Sequence, residues 1–437
     1  MEILKKKTLK VLCCIPPYVP SYFNAGHHLP IYQIADYLRK CSCINKVDCI
    51  DSSVMRHTWR DVCRILVKKY DVIILFNDFD GTDTFQRFIY YVRKISNETK
   101  ILTLGRLSIM AQHVFTSLDV DAIGVEGDYE VMASSYCEYL TGLKDPKGVS
   151  VKQNGVFHKT ESGERLLPEQ WGKPDYNEIP IQQYISLYQN DNNKFCGIPD
   201  KRELTVQISR GCPYSCSYCD VQIVQGKRER RLSIDSLFLY LQSEMQKNSF
   251  DYISFYAPVF TLDQQWVKDF CSKKNENNNN FKWKCVTTID NLNEEIIRIM
   301  GRAGCFRISI GIESILSQSQ KELIKNKQLN INQLIALAKV CMQFDIQLNC
   351  FIMVGFPDES IDDIKNMLQQ LKQIPNLRVR PTIYTPYEKM KDVKDLIACN
   401  RFNRQLFHDY KDQFYEEKIY NLLYNDENYF NLETIIW

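Results

Sequence analysis

Three cysteines on one short segment are the strongest chemical signal in this sequence. The segment reads SRGCPYSCSYCDVQ, with the spacing C-x3-C-x2-C at Cys212, Cys216 and Cys219. Thiolates bind iron–sulfur clusters strongly, and a cubane has four corner irons. Three thiolates on one loop can take three of them. The fourth iron then stays open to chelate another molecule, as a reactive metal site requires. Gly211 and Pro213 suit a loop that bends tightly round such a [4Fe–4S] cluster. A zinc knuckle is the competing reading, but zinc normally takes a fourth ligand nearby, and no His lies between positions 159 and 407.

The remaining cysteines read differently. The chain holds 17, an odd number in a large chain, so a disulfide framework is not expected. Cys285, in a strand-like run, and Cys341, in a helix-like run, read as small buried hydrophobes. Cys13 and Cys14 are adjacent in an apolar strand, so their side chains face opposite ways and cannot chelate one ion together. Past residue 352 only Cys399 remains, which speaks against a second cluster.

The elements that must position the trio follow from apolar periodicity. From Leu204 onward, strand-like runs at Leu204–Ser209, Tyr252–Tyr256, Lys282–Thr287, Phe306–Gly311, Ile346–Val354 and Val379–Tyr384 alternate with helical ones. One helix starts at the N-cap Ser233 and carries Ile234, Leu237, Phe238, Leu241 and Met245 on one face. Another starts at Ser360, with Asp362 and Asp363 in its first turn. Six β/α units over 201–387 predict an open partial barrel, smaller than the eight-unit kind, with the cysteine loop after its first strand. Residues 1–145 predict a separate α/β unit. Strands at Lys10–Ile15, Val47–Asp51, Asp71–Phe76, Lys100–Leu104 and Val120–Gly124 alternate with helices at Leu29–Lys40, Trp59–Lys69 and Thr82–Lys94. Such alternation implies a parallel sheet covered on both faces, of flavodoxin-like doubly wound type, with ligands at the carboxyl ends of its strands. Residues 146–200 read as a linker with one hairpin, and 388–437 as a helical tail rich in Tyr and Phe.

Composition bounds the function. The 55 basic and 53 acidic residues leave a net charge of +2, which gives no reason to expect a nucleic-acid or anionic-membrane partner. The amino-terminal run Val11 to Ile15 is too short for a signal peptide and ends at Pro16-Pro17. No stretch has the length of a membrane span. The expected location is cytoplasmic.

The cysteine loop, with aromatic Tyr218 just before its last cysteine, resembles the signature of the radical S-adenosylmethionine superfamily. The resemblance covers nearly the whole second unit. It implies that Cys212, Cys216 and Cys219 ligate the cluster and that Tyr218 sits near the adenine of S-adenosylmethionine. The run FRISIGIES resembles the family's fourth strand, where Gly311 would allow close backbone approach, Glu313 would bond the ribose hydroxyls and Ser314 would sit by the methionine end. Taken alone, Glu313 would read as a solvated acid. FIMVGFPDES resembles the fifth strand and its turn, and YTPYEK the sixth-strand motif, without its Pro-Gly. Two departures stand out. Tyr256-Ala257-Pro258-Val259-Phe260 replaces an acidic stretch usual at the second strand, and Thr287-Thr288 stands where relatives offer an Arg.

The first unit resembles the cobalamin-binding domain of the class B radical methylases. The matching pieces are Pro16, Pro17 and Tyr18, the LPIYQIADYLRK helix, Leu104, Gly105 and Arg106 of TLGR, and DAIGVEGDYE with Glu126, Gly127 and Asp128. Pro17, Tyr18, Gly105, Arg106, Glu126 and Gly127 are the expected cobalamin contacts. A flavodoxin-like unit without ligand is the bland alternative. The D-x-H-x-x-G signature of other cobalamin proteins is absent, so no protein His is expected on cobalt. His27 and His28, expected in the loop after the first strand, read as polar loop residues. The resemblance implies a radical C-methyltransferase acting on an unactivated carbon of a small molecule, such as a natural product, or of a peptide. It also implies S-adenosylmethionine, cobalamin and an external electron donor of flavodoxin or ferredoxin type. A radical cyclisation or rearrangement with the same cofactors is the alternative, and a degenerate binding or sensor protein is the non-enzymatic one.

Overall fold

In the computed structural model, residues 8–18, 25–77, 82–190, 198, 200–216, 219–276, 280–315, 331–354 and 359–383 are described. Two sheets organise them. The first contains β1 (Leu9–Ile15), β2 (Ile44–Asp51), β3 (Val72–Phe76), β4 (Lys100–Leu104) and β5 (Ala122–Gly124). These strands are parallel and lie in the order β2-β1-β3-β4-β5. Every residue of β3 is buried, as a strand covered by helices on both faces must be. The order reverses between β1 and β3, which opens a crevice at the carboxyl ends of those strands.

The stretch expected as a linker does more than connect. Its hairpin, β6 (Val149–Gln153) and β7 (Val156–Lys159), continues the first sheet antiparallel to β5. Asn154 and Gly155 turn it with φ of 49° and 83°, the two positive values that a two-residue hairpin of this twist demands. Past the hairpin, Tyr176, Ile179, Ile181, Tyr184 and Ile185 enter the core of the second unit. Turn residues hide this role in the sequence, because the apolar positions between them are too scattered to show a period.

The second sheet begins at β8 (Glu203–Gln207). A two-residue ladder follows, β9 (Ser209–Arg210) antiparallel to β10 (Arg230–Arg231). Strands β11 (Tyr252–Tyr256), β12 (Lys282–Thr288), β13 (Cys305–Glu313), β14 (Gln347–Val354) and β15 (Leu377–Ile383) then add in sequence order, all parallel. One face of each strand supplies the apolar core, including Leu204, Phe255, Trp283, Ile310 and Cys350. The alternate positions are polar and buried, among them Glu203, Thr205, Lys284, Ser309 and Asn349. Glu203 holds Lys284 at 2.6 Å and accepts from the Tyr252 hydroxyl at 2.7 Å. The helices between these strands pack on the apolar face, through residues such as Leu237, Phe270, Ile297 and Leu334.

The helix Ala25–Arg39 joins the two units. Its Ile31, Ile34, Ala35 and Leu38 belong to the first core, and its Leu29 and Tyr32 to the second. The connector meets the same helix at Gly172, where an added Cβ would lie 1.9 Å from the Gln33 carbonyl oxygen. Only glycine permits that approach. Gly172→Ala should force the connector off the helix and destabilise the fold by about 1–3 kcal/mol, as overpacking does. Thermal unfolding by circular dichroism should show a lowered Tm; an unchanged Tm would count against a shared interface here.

Candidate functional site

The cysteine loop leaves the carboxyl end of β8 and is pinched shut by the β9–β10 ladder. Inside it, the Cys212 amide donates to the Gly226 carbonyl at 3.1 Å, and the Gln222 side chain donates to the Cys212 carbonyl at 3.2 Å. Gly211 has φ of 88°, and a Cβ there would sit 2.2 Å from the Arg228 carbonyl, so the tight bend expected of this residue is imposed by the returning chain. Further along, the Cys219 amide donates to the Cys216 carbonyl at 3.1 Å. Cys212 is buried, and Cys216 and Cys219 are partly exposed. Burial, reinforced by the neighbouring Asp220 carboxylate, pushes the Cys219 thiol up to about 12. Among the described residues no three His, Cys, Asp or Glu gather closely enough to hold a single metal ion, the cysteine trio included. A cubane does not ask for that, because each thiolate takes a different iron. Tyr218 lies outside the described residues.

Sequence reasoning missed the anchor of this loop. Tyr214 meets Asn291, whose side-chain amide donates to the Tyr214 oxygen at 2.7 Å and to Thr288 Oγ1 at 2.7 Å. Thr288 ends β12, so the departure at Thr287-Thr288 has a structural use. Thr287 Oγ1 faces Thr261 Oγ1 at 2.5 Å. At the end of β13 the register slips between Gly311 and Glu313, and Glu313 turns with φ of 59°. Its carboxylate folds back to within 2.5 Å of where a Gly311 Cβ would sit, so glycine at 311 makes room for that acid. Glu313 is buried, and Ser314 beside it is fully buried, 3.5 Å from Glu359 Oε1 and 3.7 Å from Met367 Sδ. The GFPD turn and YTPYEK lie outside the described residues.

In the first unit, Pro17 is buried, while Tyr18 is 61% exposed with φ of 63° and rests against Trp59, ring centroids 5.7 Å apart. A non-glycine residue in this left-handed conformation is uncommon, and here it stands just past the end of β1. Gly105 has φ of 131° and would strike Asn77 with any Cβ, fixing the turn that launches Arg106. Arg106 is ion-paired with Asp220, next to Cys219. Glu126 instead reaches Lys159 of the hairpin at 3.5 Å, and Gly127 packs on Gly163. His27 and His28 stand in the helix Ala25–Arg39, a correction to the loop placement: the apolar helical pattern from Leu29 onward extends one turn earlier than the periodicity shows.

Between the units runs a buried ionic network. Glu130 accepts both ends of the Arg210 guanidinium, at 2.6 and 2.9 Å. Asp128 takes Arg230 in the same way, at 2.6 and 3.0 Å, and lies 3.4 Å from Arg165 and from Arg210. The Trp171 ring covers the Arg210 guanidinium at 4.6 Å, a cation–π contact shielded from water. A cavity of about 100 Å³ opens beside the network, lined by Arg106, Gly127, Gln207, Arg210, Asp220 and Tyr256.

Burial alone would raise the Asp128 carboxyl, but hydrogen bonds from Arg230 and the charges of Arg210, Arg230 and Arg165 hold it below the usual value of 3.8. A carboxyl depressed on folding stabilises fully above its unfolded pKa, and that contribution is lost as pH falls through the folded value. Asp128→Asn should cost about 3–5 kcal/mol, because three arginines lose a buried counter-charge. Denaturant unfolding at pH 7 should show this loss, and the gap between native and variant should begin to narrow only as pH falls below about 4, closing below the depressed native value; a gap that narrows already between about pH 7 and 5 would refute the charge-based account.

Comparison with known proteins places this geometry. Residues 206–371 match the model of the radical SAM superfamily. The uncharacterized methyltransferase PH0819 of Pyrococcus horikoshii is 26% identical over 407 residues, covering 90% of this chain and 84% of that protein. Cytidylyl-2-hydroxyethylphosphonate methyltransferase of Streptomyces wedmorensis is 23% identical over 198 residues, 44% of this chain and 36% of that one. Among solved structures, the radical S-adenosylmethionine methyltransferase TsrM from Kitasatospora setae, with cobalamin and a [4Fe–4S] cluster bound, superposes with a TM-score of 0.70 at 12% identity. It covers 87% of this chain and 73% of its own. The cobalamin-dependent S-adenosylmethionine radical enzyme OxsB gives a TM-score of 0.62 at 18% identity, with 94% of this chain and 56% of its own covered. Residues 206–371 thus match the radical S-adenosylmethionine superfamily, and the chain shares the two-unit fold of those structures.

Proposed function

We propose that the chain is a cobalamin-dependent radical S-adenosylmethionine C-methyltransferase, acting on an unactivated carbon of a small-molecule or peptide substrate. The observation that carries the reading is the cysteine loop clasped between the carboxyl ends of two parallel sheets. Methylation is favoured because PH0819, TsrM and the Streptomyces wedmorensis relative all bear the name methyltransferase.

The residues fit the cofactors. Cys212, Cys216 and Cys219 hold the cluster, with Tyr214 and Asn291 fixing their loop. Glu313, buried at the end of β13, takes the ribose of S-adenosylmethionine; Gly311 leaves the space, and Tyr218 and Ser314 complete the site. The flavodoxin-like first unit takes cobalamin at its crevice through Pro17, Tyr18, Gly105 and Gly127, with no histidine on cobalt. The side-chain heads of Arg106 and Glu126 are engaged by Asp220 and Lys159, so neither is assigned a corrin contact. When bound, the cluster supplies the electron that splits S-adenosylmethionine, and cobalamin carries the methyl group. The protein's own work is orientation and exclusion of water. Glu313 is buried, so a hydroxyl pair of the cofactor would satisfy its carboxylate there in place of water. An external flavodoxin or ferredoxin delivers the electrons. No described helix is long and apolar enough to cross a membrane, and the reading places the enzyme in the cytoplasm without a nucleic-acid partner.

Two outcomes test this. Cys216→Ala should abolish the brown cluster absorbance and 5′-deoxyadenosine release after anaerobic reconstitution, whereas reductive cleavage that survives replacement of all three cysteines would refute the ligand set. With methyl-labelled S-adenosylmethionine and native extract, label should enter the product. S-adenosylhomocysteine and 5′-deoxyadenosine should form in a ratio of about one. Substrate-dependent deoxyadenosine without matching adenosylhomocysteine would turn the reading to rearrangement.

A further inference from the structure

Both flanks of the cysteine loop are held by the other unit. Arg210 lies two residues before Cys212, and Asp220 directly follows Cys219. Glu130, at the start of the helix after β5, takes Arg210; Arg106, at the start of the helix after β4, takes Asp220. We infer that Glu130 and Arg106 are positioning residues that set where the cysteine loop stands relative to the ligand-binding edge of the first sheet. The consequence for catalysis rests on the proposed function, in which each unit carries a cofactor; the clasp itself does not.

Three features argue for positioning over general adhesion. Buried ion pairs are poor glue, since a well-packed apolar interface of the same size is as stable or more so, but they fix one register. The polarity is opposed: the first unit offers an acid to one flank and a base to the other. Any slide or half-turn of the units would bring like charges together. Finally, the contacts converge on the loop that carries the cysteines, from the loops at the carboxyl ends of β4 and β5.

The test uses the full-length, iron-reconstituted chain and the variants Arg106→Gln, Arg106→Lys and Glu130→Gln. Arg106 is partly exposed, so its glutamine variant removes a charge without leaving a cavity. Hydrogen–deuterium exchange of the 212–226 amides should rise about tenfold in Arg106→Gln, with Tm close to native, and should return toward native in Arg106→Lys. The paramagnetic resonance lines of the reduced cluster should broaden in the glutamine variant and sharpen again in the lysine one. Glu130→Gln should raise exchange at 206–212 and at 128–134 together. Native exchange and native line shape in Arg106→Gln would overturn the inference, as would equal loosening in Arg106→Lys. Exchange is also read on the iron-free chain. A protein that takes up no iron refutes the cluster assignment, while the exchange result still decides the clasp.

Discussion

Arg210 carries a full positive charge into a space almost closed to water, and Glu130 and Asp128 meet it there. Desolvation by itself would lower the guanidinium pKa, but the facing carboxylates more than offset it and hold it above the usual value. Trp171 closes the remaining side. Because a buried charge without its partner is far more costly than the pair, the two units can dock stably only where these groups meet. The geometry of everything between the two sheets follows from that constraint.

The rest of the interface agrees with it. Helix Ala25–Arg39 lends residues to both cores, so neither sheet is complete alone. The connector ties itself to the same helix through Arg39–Glu178 and the close approach at Gly172, and to the end of β2 through Tyr184, whose hydroxyl donates to buried Asp51 at 2.6 Å. Parallel sheets bind ligands at their carboxyl ends, and here those edges are turned toward one loop. Electrostatics chooses the register and apolar burial stabilises it.

Much of this was legible in the sequence. The C-x3-C-x2-C spacing singled out the loop after β8, and apolar alternation gave both parallel sheets. Local chemistry such as the Ser233 and Ser360 caps shows directly in residue order, and both side chains accept from the amides expected. Long-range pairing does not. Arg106 and Asp220 are 114 positions apart, and nothing near either one announces the other. Glu126 drew notice for its motif, yet the acids that bridge the units are Asp128 and Glu130, on the same run. An acid at a helix start reads as a dipole partner until an arginine from elsewhere appears against it. The connector escaped for a different reason: its buried residues are spaced by turns, so no period marks them.

The central claim is that the two binding edges face each other at one fixed separation. The most direct measurement is the dipolar coupling between cob(II)alamin in the first unit and the reduced cluster in the second, read by pulsed paramagnetic resonance on the loaded full-length chain. The account predicts a single narrow distance that changes little with ionic strength, because the Arg210–Glu130 and Arg230–Asp128 pairs between the units are buried. A broad distribution, two populations shifting with salt, or no coupling between the two centres would contradict it.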